Sequence, residues 1–198
     1  HPTELEPGKN YTVKLTMNHI AQRFPKGHQI RLALSTSYWP LVWPSPEPVR
    51  LKVSLKNSKF LIPVRKPQVL DGELRQLNGH QPESPLKTTL LVPAKRDWQV
   101  THNMATNEVS LKVVNDDAKY KLNHIDWTVQ KKVKERYSYL NNNYDTVKGE
   151  VISERSFERK DWSAKTITRT VLSSTKTHFI IRATLDAYHG DTRIFSKS

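Results

Sequence analysis

The chain has 198 residues, of which 36% are hydrophobic and 12 are proline, and its net charge is +13. This length suits one large β domain or two small ones, and no apolar run is long enough to predict a transmembrane helix. Cysteine is absent, which excludes disulfides, thiolate metal sites and a cysteine nucleophile. Together with an N-terminus that has no signal-peptide pattern, this absence favours a cytoplasmic location.

The positive charge is dispersed along the chain. Most basic residues stand singly in segments that alternate with apolar positions, and the one dense cluster is Lys131–Arg136. Because no nucleic-acid motif accompanies the charge, a solvated basic surface is the favoured interpretation and nucleic acid is not the expected partner.

The first third of the chain shows the two-residue periodicity of half-buried β-strands. Apolar residues alternate with polar ones at 11–17, at 28–34 after a predicted turn at 24–27, and at 49–55, and 59–64 is predicted to be a short return strand. Pro25 and Gly27 supply the turn chemistry that would place His28 at the start of the second strand.

An aromatic loop follows the second predicted strand. Tyr38, Trp39 and Trp43 are interspersed with prolines at 40, 44, 46 and 48. Proline lacks a backbone N–H, so this segment is expected to be neither helix nor central strand but an extended loop.

The rest of the chain is predicted to be a long irregular connection at 66–98 followed by short strands. Within the connection only 88–92 is predicted to be a strand. Further along the chain, Asn115–Asp117 is expected to form a turn. Residues 125–139 are ambiguous between helix and strand, and strand is favoured because the neighbouring segments are strands. Further strands are predicted at 98–101, 109–113, 119–122, 162–173, 177–185 and 192–195, with a tight turn at Gly190. The fold expected is all-β, a jelly-roll β-sandwich of the galactose-binding-like type, forming a single domain over 1–198.

No catalytic motif is found. The six glycines are not spaced for a nucleophile elbow, a dinucleotide fingerprint or a phosphate loop, and the histidines do not pair at metal-ligand spacing. No cofactor or metal is therefore predicted. His28 is read as making a structural hydrogen bond from its imidazole to nearby backbone in preference to acting as a base, and Glu154, Glu158 and Asp161 as surface ion-pair partners.

The aromatic loop has two interpretations. Tyr38, Trp39 and Trp43 could form a stacking platform for a sugar ring, which would make the chain a carbohydrate-binding module. Alternatively they pack on the sandwich or on a partner domain, and this second interpretation is favoured. With His28, these three residues are the candidates for an interface or a ligand contact.

Two stretches carry a family resemblance. One runs from LEPGKNYTVKLTMNHIAQRFPK through GHQIRLALSTSYWPLVWPSPEPVRL, and the other is ERKDWSAKTITRTVLSSTKTHFIIRATLDAYHGDTRIFS near the end. They resemble the C-terminal domain of the CocE/NonD hydrolases, the group of cocaine-esterase-like acyl hydrolases and X-Pro dipeptidyl-peptidases. The resemblance is weakest at 64–138.

The resemblance implies an upstream α/β-hydrolase domain that carries a Ser-His-Asp triad, with this β domain packed against it. None of the triad maps onto the chain, so no catalytic residue is assigned. The domain is expected to be a C-terminal fragment of a longer protein that helps shape the substrate cleft, and it could contribute to oligomer contacts. The loop 38–48 is the candidate surface that meets the catalytic domain.

Overall fold

A computed structural model describes residues 5–75, 77–80 and 83–198. The chain divides into two compact units, the first ending at Leu34 and the second comprising Ser35–Ser198. The prediction of a single domain over 1–198 stays a prediction.

The first unit is organised by two glycine turns. Lys9 N–H donates to the Glu6 carbonyl at 3.2 Å and His28 N–H donates to the Pro25 carbonyl at 3.2 Å, with Gly8 and Gly27 at φ +82° and +91°, a conformation that favours glycine. The second turn thus spans 25–28, one residue later than predicted.

The strands predicted at 11–17 and 28–34 are not formed, and their side chains are exposed. Side-chain alternation indicates which face could be buried, but a strand also requires a hydrogen-bonding neighbour. The sequence does not reveal that neighbour, so these two predictions were wrong.

The second unit begins with irregular backbone and two short 3-10 helices, Leu55–Asn57 and Val69–Gly72. The strands predicted at 49–55 and 59–64 are likewise absent from this part of the described chain. One anchor here is Asp71, whose carboxylate accepts a hydrogen bond from Gln68 N–H at 2.9 Å and pairs with both terminal nitrogens of Arg65. The irregular connection was predicted over 66–98, but a strand begins at Thr88, so the connection ends at residue 87. Its positions 76, 81 and 82 lie outside the described residues.

Eight antiparallel strands follow and form one sheet. They are β1 (Thr88–Val92), β2 (Lys95–Asn103), β3 (Glu108–Leu122), β4 (Trp127–Leu140), β5 (Asn143–Arg159), β6 (Trp162–Ser174), β7 (Phe179–His189) and β8 (Thr192–Lys197). From β3 to β8 each strand pairs with the next one in sequence, while β1 and β2 pair in succession along the same edge of β3. Pro93 lies between them and cannot donate to the ladder.

Hairpin turns keep this meander in register. Asn107, Asp126, Asn141 and Asn142 have φ between +52° and +55°, the conformation that tight two-residue hairpins require and that Asn and Asp tolerate best. Asn115–Asp117, predicted to be a turn, instead lies within β3. One extra residue is inserted before Tyr120, which shifts the register as a β-bulge does.

Because side chains alternate along each strand, the sheet has two faces. We call the face that carries the buried hydrophobic residues the apolar face and the other one the polar face. The buried hydrophobic residues Leu111, Val113 and Val147 lie on the apolar face. Cross-strand neighbours on that face include Tyr137, Gly149, Leu172 and Ile181. The polar face carries Lys112, Lys134, Arg136, Glu150, Arg169 and Asp186.

The all-β prediction is confirmed, and the antiparallel sheet is consistent with a β-sandwich. The ambiguous segment 125–139 is a strand, as favoured, since β4 covers most of it. The strands predicted at 88–92, 98–101 and 162–173 also lie within observed strands. The strands predicted at 109–113 and 119–122 are parts of the single strand β3. The strand predicted at 177–185 overlaps β7 but begins two residues too early and ends four too early, and that at 192–195 ends two residues before β8 does.

Candidate interface at the aromatic loop

The loop 38–48 begins with a turn that Val42 N–H closes on the Tyr38 carbonyl at 2.9 Å. This turn points the side chains of the loop in two directions. Trp39 and Trp43 are half-buried, whereas Tyr38, Leu41 and Val42 are exposed to 67%, 75% and 57%. The loop therefore has an inner side on the protein and an outer side toward solvent.

Trp43 anchors one end of the inner side. Its indole Nε1 donates a hydrogen bond of 2.8 Å to Ser174 Oγ, and its ring meets Phe179 edge to face with centroids 6.0 Å apart. Ser174 is buried and is the cross-strand partner of Phe179. Trp43 thus rests on the apolar face where β6 and β7 meet.

Trp39 anchors the loop on β4. Its ring lies edge to face with Tyr137 and Tyr139, at centroid distances of 6.0 and 5.5 Å. Aromatic pairs in this arrangement contribute about 0.5–1.5 kcal/mol beyond their burial. The Trp39 Nε1 is buried with no hydrogen-bond partner among the described residues, so its attachment relies on ring packing.

Gly149 provides space beneath the loop. It lies in β5 opposite Tyr137, and a Cβ at this position would come within 3.2 Å of Tyr137 Cδ1 and 3.8 Å of Trp43 Cζ3. A glycine within a strand often marks such a close approach. The absence of a side chain lets both aromatic rings pack against the sheet.

Tyr137 is held by a charged neighbour as well as by Trp39. Its phenol donates a hydrogen bond of 2.7 Å to Glu135 Oε2. Burial and this hydrogen bond raise the pKa of Tyr137 to about 12, because both disfavour the phenolate. The phenol therefore stays protonated, as a donor, throughout the physiological range.

The structure places the four predicted site residues in different settings. Trp39 packs on β4 and Trp43 packs where β6 and β7 meet, while Tyr38 faces solvent. His28 is exposed in the first unit, where its backbone N–H closes the turn at Pro25. No hydrogen bond of its imidazole is found in the described part of the chain, so the structural hydrogen bond expected of that ring is not observed.

The residues of the sheet that contact the loop were not predicted from the sequence. These are Tyr137, Tyr139, Gly149, Ser174 and Phe179. Tyr137 and Tyr139 share a face by alternation and could have been identified as a docking position. Gly149 and Ser174 carried no such signal, because their roles depend on register across strands that are distant in sequence.

Ring packing and the Trp43–Ser174 hydrogen bond hold the aromatic loop on the sheet. Over residues 5–75, 77–80 and 83–198, no three His, Asp or Glu side chains come together as a metal site. In the same residues, no helix is long and apolar enough to span a membrane.

A family model matches residues 1–101, and its description is the X-Pro dipeptidyl-peptidase C-terminal non-catalytic domain. The match covers the aromatic loop together with β1 and most of β2. It does not extend to the second stretch on which the resemblance in the sequence was based. No curated protein and no solved structure was found to match the chain.

Proposed function

Because the chain belongs to the family of X-Pro dipeptidyl-peptidase C-terminal non-catalytic domains, we propose that it is the accessory β domain of a cytoplasmic serine hydrolase of the acyl esterase or X-Pro dipeptidyl-peptidase type. In this proposal it packs on an upstream α/β-hydrolase domain of the same protein and shapes the substrate cleft. The catalytic Ser-His-Asp triad belongs to that upstream domain.

The observation that supports this proposal is the two-sided geometry of the aromatic loop. Trp39 and Trp43 fix the loop on the sheet, while Tyr38, Leu41 and Val42 project outward. Exposed apolar side chains on a fixed backbone form a preorganised contact surface, since little conformational entropy is lost when they bind. We propose these outward residues as the contact with the catalytic domain.

Carbohydrate binding receives less support. A sugar platform requires aromatic ring faces that are free to stack. Trp39 and Trp43 are half-buried against the sheet, which leaves Tyr38 as the exposed aromatic ring of the loop. The loop is therefore better suited to protein packing than to stacking on a sugar.

The interface is tested by producing the catalytic part and this chain as two polypeptides and measuring their dissociation constant. Leu41→Asp/Val42→Asp should weaken association by roughly tenfold or more, because two carboxylates would be buried against an apolar surface. Leu61→Asp/Val64→Asp is the matched control, since it makes the same chemical change at exposed positions outside the loop. Equal affinity of the loop variant and the control would overturn the assignment.

A further inference from the structure

The far end of the apolar face carries a second aromatic group. The rings of Trp127 and Trp162 stack with centroids 5.5 Å apart and planes 24° apart, and Phe157 lies 5.9 Å from Trp127. We call these three residues the aromatic cluster. Within β4, Trp127 lies ten residues from Tyr137, which corresponds to about 33 Å at the rise of a β-strand. The aromatic loop, which packs on Tyr137, therefore does not cover the cluster.

Three exposed cations share the face with this cluster. Lys131 of β4 lies directly opposite Arg155 of β5, and Arg159 lies opposite Trp162. Along β5 the order on this face is Arg155, Phe157, Arg159, so cations flank an aromatic ring. We call Lys131, Arg155 and Arg159 the basic set.

Three carboxylates near the basic set bind other cations, whereas Asp161, in the turn before Trp162, forms no ion pair in the described residues. Asp117 pairs with Arg96 at 2.6 Å and Glu158 with Lys119 at 2.7 Å. Asp126 pairs with Lys121, and this hydrogen bond is the main cause of the lowered pKa of Asp126, with smaller contributions from Lys160 and Arg159. No member of the basic set forms an ion pair in the part of the chain that the structure describes.

Like charges directly opposite each other in a sheet are destabilising. On the polar face the like-charged pair Lys112 and Arg136 is offset, because Arg136 also binds Glu108 at 2.9 Å. Lys131 and Arg155 lack such an ion pair in the described residues, since Asp117, which lies opposite Lys131 on β3, binds Arg96 instead. They lie beside the aromatic cluster, of which Trp162 is 42% exposed. An acidic partner would convert their mutual repulsion into attraction on both sides.

We propose that the aromatic cluster and the basic set form a docking site for an acidic protein segment that carries apolar or aromatic side chains. If the proposed function is correct, this segment belongs to the upstream catalytic domain, and the site is a second contact with it. A second copy of the chain is a poor occupant, because equivalent contact would bring the two basic sets together.

A nucleic acid fits the site less well than an acidic segment. Strands of nucleic acid are held by positively charged grooves that follow the backbone over several nucleotides. Arg155 and Arg159 are separated by about 13 Å along β5, which corresponds to a short contact. The charge therefore favours a short run of carboxylates.

The test uses the 198-residue chain and a short synthetic peptide of alternating Glu and Tyr, with a Gln/Tyr peptide and an oligothymidylate as comparison ligands. Binding is measured by calorimetry at low and at high salt. The Glu/Tyr peptide should bind most tightly, and its affinity should fall with salt. Lys131→Glu/Arg155→Glu should weaken it by roughly tenfold, because both attractions become repulsions.

The matched control is Lys134→Glu/Arg182→Glu, which makes the same net charge change at exposed positions of the polar face. It should retain the affinity of the unmodified chain, and circular dichroism checks that each variant is folded. Equal loss in both variants, equal binding of the Gln/Tyr peptide, or tighter binding of the oligothymidylate would overturn the proposal. The binding test does not require an upstream hydrolase, so it can disprove the docking site without disproving the proposed function, and the reverse.

Discussion

Trp43 and Ser174 are 131 residues apart in sequence and are joined by a hydrogen bond of 2.8 Å from the indole Nε1 to the serine Oγ. This contact holds the aromatic loop at the C-terminal end of β6. It also satisfies a buried hydroxyl, which would be costly to leave without a partner.

Trp43→Phe should destabilise the chain by about 1–3 kcal/mol, because it removes the donor to Ser174 and leaves part of the indole volume empty. Denaturant unfolding followed by circular dichroism measures the change. Trp98→Phe is the control, since Trp98 is 72% exposed and its replacement should stay within about 0.5 kcal/mol. Similar losses in the two variants would show that the loop is not anchored through Trp43.

Gly149→Val should also destabilise, by about 1–3 kcal/mol, because its side chain would push Tyr137 and Trp43 off the sheet. The near-ultraviolet circular dichroism of the aromatic rings should change together with stability. Gly79→Val is the comparison, since nothing lies within 4 Å of a Cβ at that position. An unchanged aromatic spectrum in Gly149→Val would contradict the close packing described for the loop.

Stability should fall between pH 10 and pH 12 through Tyr137. Its pKa is about 12 in the folded chain, compared with an ordinary value of 10.0, so in this window the unfolded chain releases a proton that the folded chain retains. The contribution is complete below pH 10 and is lost as the pH rises through 12. Tyr137→Phe should remove this part of the pH dependence in unfolding experiments, whereas Tyr11→Phe should preserve it. A profile unaffected by Tyr137→Phe would show that the phenol is not shielded.

Asp71 should titrate at about pH 2, well below its ordinary pKa of 3.8, chiefly because of its hydrogen bonds from Arg65. The stabilisation it gives to its short helix is present above the ordinary value and is lost as the pH falls through 2. A titration followed by nuclear magnetic resonance measures the midpoint. Arg65→Gln should raise it toward the ordinary value, while Arg50→Gln should leave it in place. An ordinary midpoint in the unmodified chain would mean that the pair does not persist in solution.

The sequence predicted the sheet better than the N-terminal half. In β6 and β7 the side-chain alternation coincides with real strand pairing, so both strands were found, β6 within one residue of its observed end. The same alternation at Val49, Leu51 and Val53 predicted a strand that is absent. The two cases have the same local pattern, and the difference lies in whether a partner strand is available for hydrogen bonds.

For the aromatic loop, too, the local sequence was informative, whereas contacts with distant residues could not be predicted. Its composition indicated Tyr38, Trp39 and Trp43 as candidates for an interface or a ligand contact, and it predicted an extended loop around the prolines. Two of the loop's contacts, Gly149 and Ser174, could not be predicted, because these residues acquire their roles only when β5 and β6 are placed in register. The basic set was hidden for a related reason, since Lys131 and Arg155 become neighbours only through the pairing of β4 with β5.

Active-site labelling of the longer protein that contains this chain tests most directly whether the chain is a non-catalytic domain of a serine hydrolase. A fluorophosphonate probe reacts with activated serine nucleophiles, and mass spectrometry of the digested product locates the modified residue. We predict that the label lies on a serine upstream of residue 1, within a G-x-S-x-G sequence, and that none lies within the 198 residues. Labelling of a serine inside these 198 residues, abolished by its replacement with alanine, would contradict the assignment of a non-catalytic domain.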